Sequence, residues 1–231
     1  MDKKHKYGLI KIRSKKTITA LLLGIFLIAN SPLPVYAHTG GNHQKITKEA
    51  AEEAGYGEDA VEKLGKGNVG VDKYQGTKPG TPDEPGANAH GMTSPGQSED
   101  EAKEGAKAYK DAKKEKAADE LLEGNIEEAL EELGKGTHTV QDELQHKFEG
   151  WDGWWSWWNL TVFYAVWFYG KLAVHGIKDA VLTDDEKEKN VEATKEYLKE
   201  FEARFMEKCR EAGKTQEQCE DLLRQMKEWK K

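Results

Sequence analysis

Apolar residues in this chain recur at intervals of three and four and almost nowhere alternate, a pattern that supplies helices and leaves a sheet without material. Residues 44–54 read as a helix stopped by Gly55, and 58–64 as a second, short one. Ser98 is placed to cap a long helix through the Ala, Lys and Glu stretch to about Leu122. Asn125 opens another, with Ile126, Ala129, Leu130 and Leu133 at helical spacing. A further long helix starts at Asp184 or Asp185 and carries Val191, Thr194, Leu198, Phe201 and Phe205 along one face. The expected fold is all-α, a single helical bundle. Residues 66–97 interrupt it with Pro79-Gly80, Pro82, Pro85-Gly86 and Pro95-Gly96, and read as one long loop. Loops of that length tend to be functional or disordered, and this one holds Asp72, Asp83 and His90.

The front of the chain has a different grammar. Lys3, Lys4, Lys6, Lys11, Arg13, Lys15 and Lys16 precede an uncharged apolar run over 21–29, and Val35-Tyr36-Ala37 offers small residues where a signal peptidase reads. Residues 1–37 are therefore expected to be a secretory signal, with 38–231 as the exported domain. An uncleaved anchor is the alternative, although the run is shorter than the roughly 20 residues that span a bilayer. Cleavage removes seven basic groups and one acid, Asp2, and takes the net charge from −7 to −13. So acidic a protein disfavours nucleic acid polymers unless bound cations invert its field locally.

Cys209 and Cys219 are the only cysteines, and they flank a helix stop at Gly213 and a capping box at Thr215 and Gln218. In an exported chain they are expected to pair, stapling a helical hairpin over 201–231, rather than remain free thiols or serve a metal.

Six histidines remain after the signal: His38, His43, His90, His138, His146 and His175. Each lies in a short motif that suits a metal. The strongest is His138-Thr-Val-Gln-Asp142-Glu-Leu-Gln-His146, whose steps of four put three side chains on one helix face. The rise over eight residues is about 12 Å, so His138 and His146 are too far apart for one ion, while Asp142 can face ions on either side. A bridging carboxylate is what two metals about 3.5–4 Å apart require. The plainer alternative is a helix that carries two solvated histidines. His43 opens the first helix, His90 sits in the loop, and His175-Gly-Ile-Lys-Asp179 is another i, i+4 pair.

Taken together these motifs resemble the zinc-dependent phospholipase C and S1/P1 nuclease superfamily. The stretches that carry the resemblance are Asn42-His43-Gln-Lys-Ile-Thr, Asn68-Val-Gly-Val-Asp72 leading to His90, the core helix with His138-Thr-Val-Gln-Asp142, and His175 to Asp179, spanning about residues 38–205. The family pattern differs in placing the next His six residues after the central Asp, where this chain has His146 at four, and in beginning the mature chain with Trp, where this one has His38. The resemblance implies up to three zinc ions held by His38, His43, Asp72, His90, His138, Asp142, His146, His175 and Asp179. It implies hydrolysis of a phosphodiester by zinc-activated water, with Asp142 in the catalytic centre and Asp83 as a general base or outer hydrogen-bonding group. Asp72 is preferred to Asp83 as the loop ligand because it directly follows a helix-like segment.

Residues 151–169 contain Trp151, Trp154, Trp155, Trp157, Trp158 and Trp167, and 154–170 carry no charge. A buried core helix, an aromatic surface at a lipid interface and a membrane span are all compatible with that composition. An interfacial patch beside a zinc site favours phospholipid as substrate over nucleic acid, so the expected activity is that of a secreted phospholipase C-like hydrolase. A nuclease of the S1/P1 kind is the alternative among enzymes, and a non-catalytic, zinc-stabilised interaction module the alternative outside them. The Lys and Glu runs over 101–120 and 186–231 read as solvated helix faces.

Overall fold

The computed structural model describes residues 40–73, 84–94, 96–148 and 182–231. The chain divides into two units, Met1–Tyr36 and Ala37–Lys231, and all described residues belong to the second. The expected signal segment, His38, Asp83, residues 151–169, His175 and Asp179 lie outside the described residues.

The described part is all-α, and no strand occurs in it. Its helices are α1 (Gly40–Glu53), α2 (Glu58–Gly70), α3 (Glu84–Ala89), α4 (Glu99–Glu123), α5 (Ile126–His146), α6 (Asp184–Glu211) and α7 (Gln216–Lys227), with a 3₁₀ turn (Val71–Lys73) closing α2. The helix ends follow local chemistry. Ser98 with Glu101, Thr183 with Glu186 and Thr215 with Gln218 form capping boxes at the starts of α4, α6 and α7. Gly124, in the left-handed region at φ 85°, terminates α4, and Gly213 at φ 78° ends the α6 side of the hairpin. Asn125 precedes α5 without capping it, because its amide donates to Glu120 and Glu123 instead.

Helix α5 is central, packing against α2, α4 and α6, while α1 lies on α2 and α6. Leu64, Leu121, Leu130, Leu133, Leu198, Phe201 and Phe205 are fully buried in the main core. The expected apolar face of the last long helix is therefore the one it buries, Thr194 included. The Cys209–Cys219 disulfide joins α6 to α7, with Cα atoms 5.9 Å apart.

Two expectations need correction. The helix placed at 58–64 runs on to Gly70, and the stretch 66–97 is not a structureless loop, since it contains the end of α2, the 3₁₀ turn and α3. Glycines act as spacers where α2 meets α5. A Cβ on Gly67 would collide with the Glu131 carbonyl of α5, and one on Gly134 would meet the Leu64 carbonyl and lie 3.1 Å from Asn68 N and Gly67 Cα. Helices α2 and α5 thus cross backbone to backbone, and the packing offsets the roughly 1 kcal/mol that each helical glycine costs. Pro85 falls in the first turn of α3, where a missing N–H costs nothing.

Candidate metal centre

Six of the side chains singled out in the sequence converge: His43 from α1, Asp72 from the 3₁₀ turn, His90 from the turn after α3, and His138, Asp142 and His146 from α5. The α2–α5 crossing sets the height of Asp72 relative to His138, leaving Asp72 Oδ1 3.7 Å from His138 Nε2. A second close approach delivers His90. Gly91 sits at φ 56° with its Cα so near α5 that a Cβ would lie 2.8 Å from Glu143 N. The Thr139 hydroxyl donates to Ala89 O at 2.8 Å, and Phe148 N donates to Gly91 O at 3.2 Å. The turn is thereby fastened on both sides of His90, to α5 before it and to the residues just past the end of α5 after it.

Asp142 lies at the middle of the cluster. Its Oδ2 is 2.8 Å from His90 Nδ1 and 2.9 Å from His138 Nε2, and those two nitrogens are 3.0 Å apart. Its Oδ1 is 3.2 Å from His43 Nε2 and 3.4 Å from His146 Nε2, yet is aligned for a hydrogen bond with neither. The ladder on α5 therefore works as its spacing suggests, with His138 and His146 addressing different oxygens of one carboxylate.

A triangle of two nitrogens and one oxygen with edges of 2.8–3.0 Å is poorly served by protons. If both imidazoles donate to Oδ2, the two N–H groups face each other. A cation satisfies all three lone pairs at once. Ligand atoms about 2.0–2.1 Å from a tetrahedral zinc stand roughly 3.3 Å from one another, so an expansion of a few tenths of an ångström admits the ion. His43, His138 and Asp142 form one group able to hold a metal, and Asp72, His90 and His138 a second. The donor set of imidazole and carboxylate and the unbonded Oδ1 of buried Asp142 fit such an ion.

The electrostatics agree. Burial disfavours a charged His43, but the Asp142 carboxylate beside it, helped by Asp72, holds its pKa up at about 9. Burial likewise opposes ionisation of Asp142, and the surrounding His138, His146 and His43 outweigh it, keeping the carboxyl well below the usual range. Positive charge is thus favoured at the place where the ring nitrogens meet. His138 and Asp142 are each only 1 % exposed, whereas the Asp72 side chain is 18 % exposed and marks the solvent edge.

Sequence reasoning passed over a polar layer behind the histidines: Thr47, Asn68, Thr137, Gln141 and Thr194, all fully buried. Gln141 Oε1 lies 2.7 Å from His43 Nδ1. A signal existed, since Thr194 stands on the apolar face of α6 where a hydrocarbon belongs. No family model, curated protein or solved structure matches this chain.

Proposed function

We propose that the chain is an exported, zinc-dependent phosphodiester hydrolase of the phospholipase C type. The observation that carries the reading is Asp142, one carboxylate whose two oxygens address separate pairs of imidazoles, His90 with His138 and His43 with His146. A carboxylate so shared is the ligand that a pair of cations about 3.5–4 Å apart needs. The residues that converge are among those on which the resemblance to the zinc-dependent phospholipase C and S1/P1 nuclease superfamily rests. Zinc suits imidazole and carboxylate donors, and supplies a water that ionises near neutral pH together with positive charge against phosphoryl oxygens. The chain's own residues contribute the placement: four imidazoles and two carboxylates fix the charge, and Asp72, its side chain 18 % exposed, stands at the solvent edge. The disulfide supports export. The acidic charge and the tryptophans of 151–169 favour phospholipid over nucleic acid.

Zinc-loaded protein is expected to hydrolyse a chromogenic phosphocholine ester, and Asp142→Asn to lose both bound zinc and turnover. Full zinc occupancy without turnover, or unchanged turnover in Asp142→Asn, retires the hydrolase. The near-complete burial of His138 and Asp142 favours a second reading, a closed structural zinc site in a secreted interaction module. Its signature is a large fall in melting temperature on chelation, with no hydrolysis in the loaded state.

A further inference from the structure

The polar layer behind the cluster has a direction, and the direction follows from counting protons. The Thr137 hydroxyl donates to Gly134 O at 2.7 Å, so its proton is committed within α5. The 3.2 Å contact between Thr47 and Thr137 hydroxyls must then have Thr47 as donor. Asn68 Nδ2 donates to Thr47 Oγ1 at 2.9 Å and Thr137 Oγ1 at 3.0 Å, with a longer contact to Gln141 Oε1 at 3.4 Å. On the other side, the Thr194 hydroxyl donates to Asn190 O at 2.7 Å.

Thr47 and Thr194 have therefore spent their protons and can only accept from Gln141, whose nitrogen meets them at 2.8 and 3.3 Å. That fixes which end of the Gln141 amide is nitrogen. Its oxygen must face His43, 2.7 Å from Nδ1, and an oxygen without a proton accepts only from a ring nitrogen that has one. His43 Nδ1 is thus N–H, and the nitrogen it turns toward Asp142 is Nε2.

We infer that Gln141 is a positioning residue that locks His43 as its Nδ1–H form, presenting Nε2 as a metal ligand. The lock draws on four helices, α1, α2, α5 and α6, and is anchored at two backbone carbonyls that cannot rotate away. It fixes both the tautomer and the ring plane of His43, since Thr47 and Thr194 hold the amide that holds the ring. Ligating histidines are tuned through their second nitrogen, and loss of such a partner typically lowers metal affinity by about 10–100-fold. The inference rests on reading the cluster as a metal centre.

The test combines zinc affinity, measured by competition with a chromogenic chelator, with long-range ¹H–¹⁵N NMR of ¹⁵N-histidine-labelled, zinc-loaded protein. Wild type is expected to show His43 protonated at Nδ1 and ligated through Nε2. Gln141→Leu should bind zinc about 10–100-fold more weakly. Gln141→Glu keeps an acceptor opposite Nδ1 but sets a second oxygen against the Thr47 and Thr194 hydroxyls, whose protons are committed elsewhere, so it should recover only part of the affinity lost in Gln141→Leu, a partial rescue that a merely space-filling role does not give. Ligation of wild-type His43 through Nδ1, or wild-type affinity in Gln141→Leu, overturns the inference while leaving the metal centre standing. Failure of the wild type to take up zinc overturns both. If Gln141→Leu does not fold, the wild-type tautomer and Gln141→Glu decide the matter.

Discussion

Replacing Gly134 by alanine tests the construction that places the candidate centre. The added methyl would sit 3.1 Å from Asn68 N and Gly67 Cα and closer still to the Leu64 carbonyl oxygen, all backbone atoms of α2. No rotamer relieves that overlap, so the helices must part by on the order of 1 Å to reach ordinary contact. Overpacking of this kind costs about 1–3 kcal/mol, and the rigidity of the atoms met puts this site at the upper end. Alanine's better helix propensity returns about 1 kcal/mol, leaving a net loss near 2 kcal/mol. For a domain of this size that corresponds to a fall in melting temperature of roughly 4–8 °C. Gly41→Ala is the control, because a Cβ there meets nothing within 4 Å. It keeps the propensity gain undiluted and is expected to be neutral or stabilising.

The displacement also has a functional reading. Gly134 lies one turn before His138, and Asp72 follows the α2 end that would move away. Zinc affinity should therefore fall in Gly134→Ala and stay at the wild-type value in Gly41→Ala, measured alongside denaturant unfolding of the zinc-free proteins. Gly67→Ala opens the same crossing from the opposite side, so the double variant should lose less than the two singles together. A Gly134→Ala protein as stable as Gly41→Ala, with unchanged zinc affinity, would refute the backbone-to-backbone crossing as the positioning device.

Zinc uptake should be proton-linked through His43. With its folded pKa raised from 6.5 to about 9, the metal-free protein gains stability that is full below pH 6.5 and lost as pH rises through 9, and zinc affinity should climb about tenfold per pH unit across that window; calorimetric proton release that stays at zero throughout would refute it. Glu132, nearly buried, takes Lys113 and Lys135 each at 2.8 Å and Lys116 at 3.0 Å; burial alone would raise its pKa, but these partners bring it down to about 2. Its contribution is present above pH 4.5 and lost as pH falls toward 2, so Glu132→Gln should cost on the order of 2–3 kcal/mol at pH 7 and close the gap to wild type in acid; equal stability at pH 7 is the contrary result. Removing the Cys209–Cys219 disulfide, which closes a loop with a sequence separation of 10, should cost about 2–3 kcal/mol in thermal unfolding while leaving zinc content unchanged. A loss of zinc would mean that the hairpin is coupled to the centre.

What the sequence reveals here divides by range. Capping boxes at Ser98, Thr183 and Thr215 and stops at Gly124 and Gly213 are contained in a few adjacent residues, so the helix ends can be read directly. The ladder of His138, Asp142 and His146 is equally local, because a step of four is a property of one helix. Gly65, Gly67 and Gly91 mislead for the opposite reason: their meaning lies in Gln44, Glu131 and Glu143, residues they approach only in three dimensions. The same holds for Thr47, Asn68, Gln141 and Thr194, each unremarkable alone and interpretable only once their protons are counted together.

That division bears on how the centre is built. A carboxylate at 1 % exposure among four imidazoles costs desolvation energy that a helical bundle of this size recovers only if every partner is oriented beforehand. The orientation comes from backbone contacts that admit no side chain, at Gly67, Gly134 and Gly91, and from a hydrogen-bond relay that ends on the fixed carbonyls of Gly134 and Asn190. Gly134 contributes to both, as the spacer that lets α2 approach and as the acceptor that sets the polarity of the relay behind His43. A substitution there should therefore disturb the stability of the crossing and the aim of His43 in one step. Asn190→Ala should disturb neither, since the carbonyl that Thr194 uses belongs to the backbone.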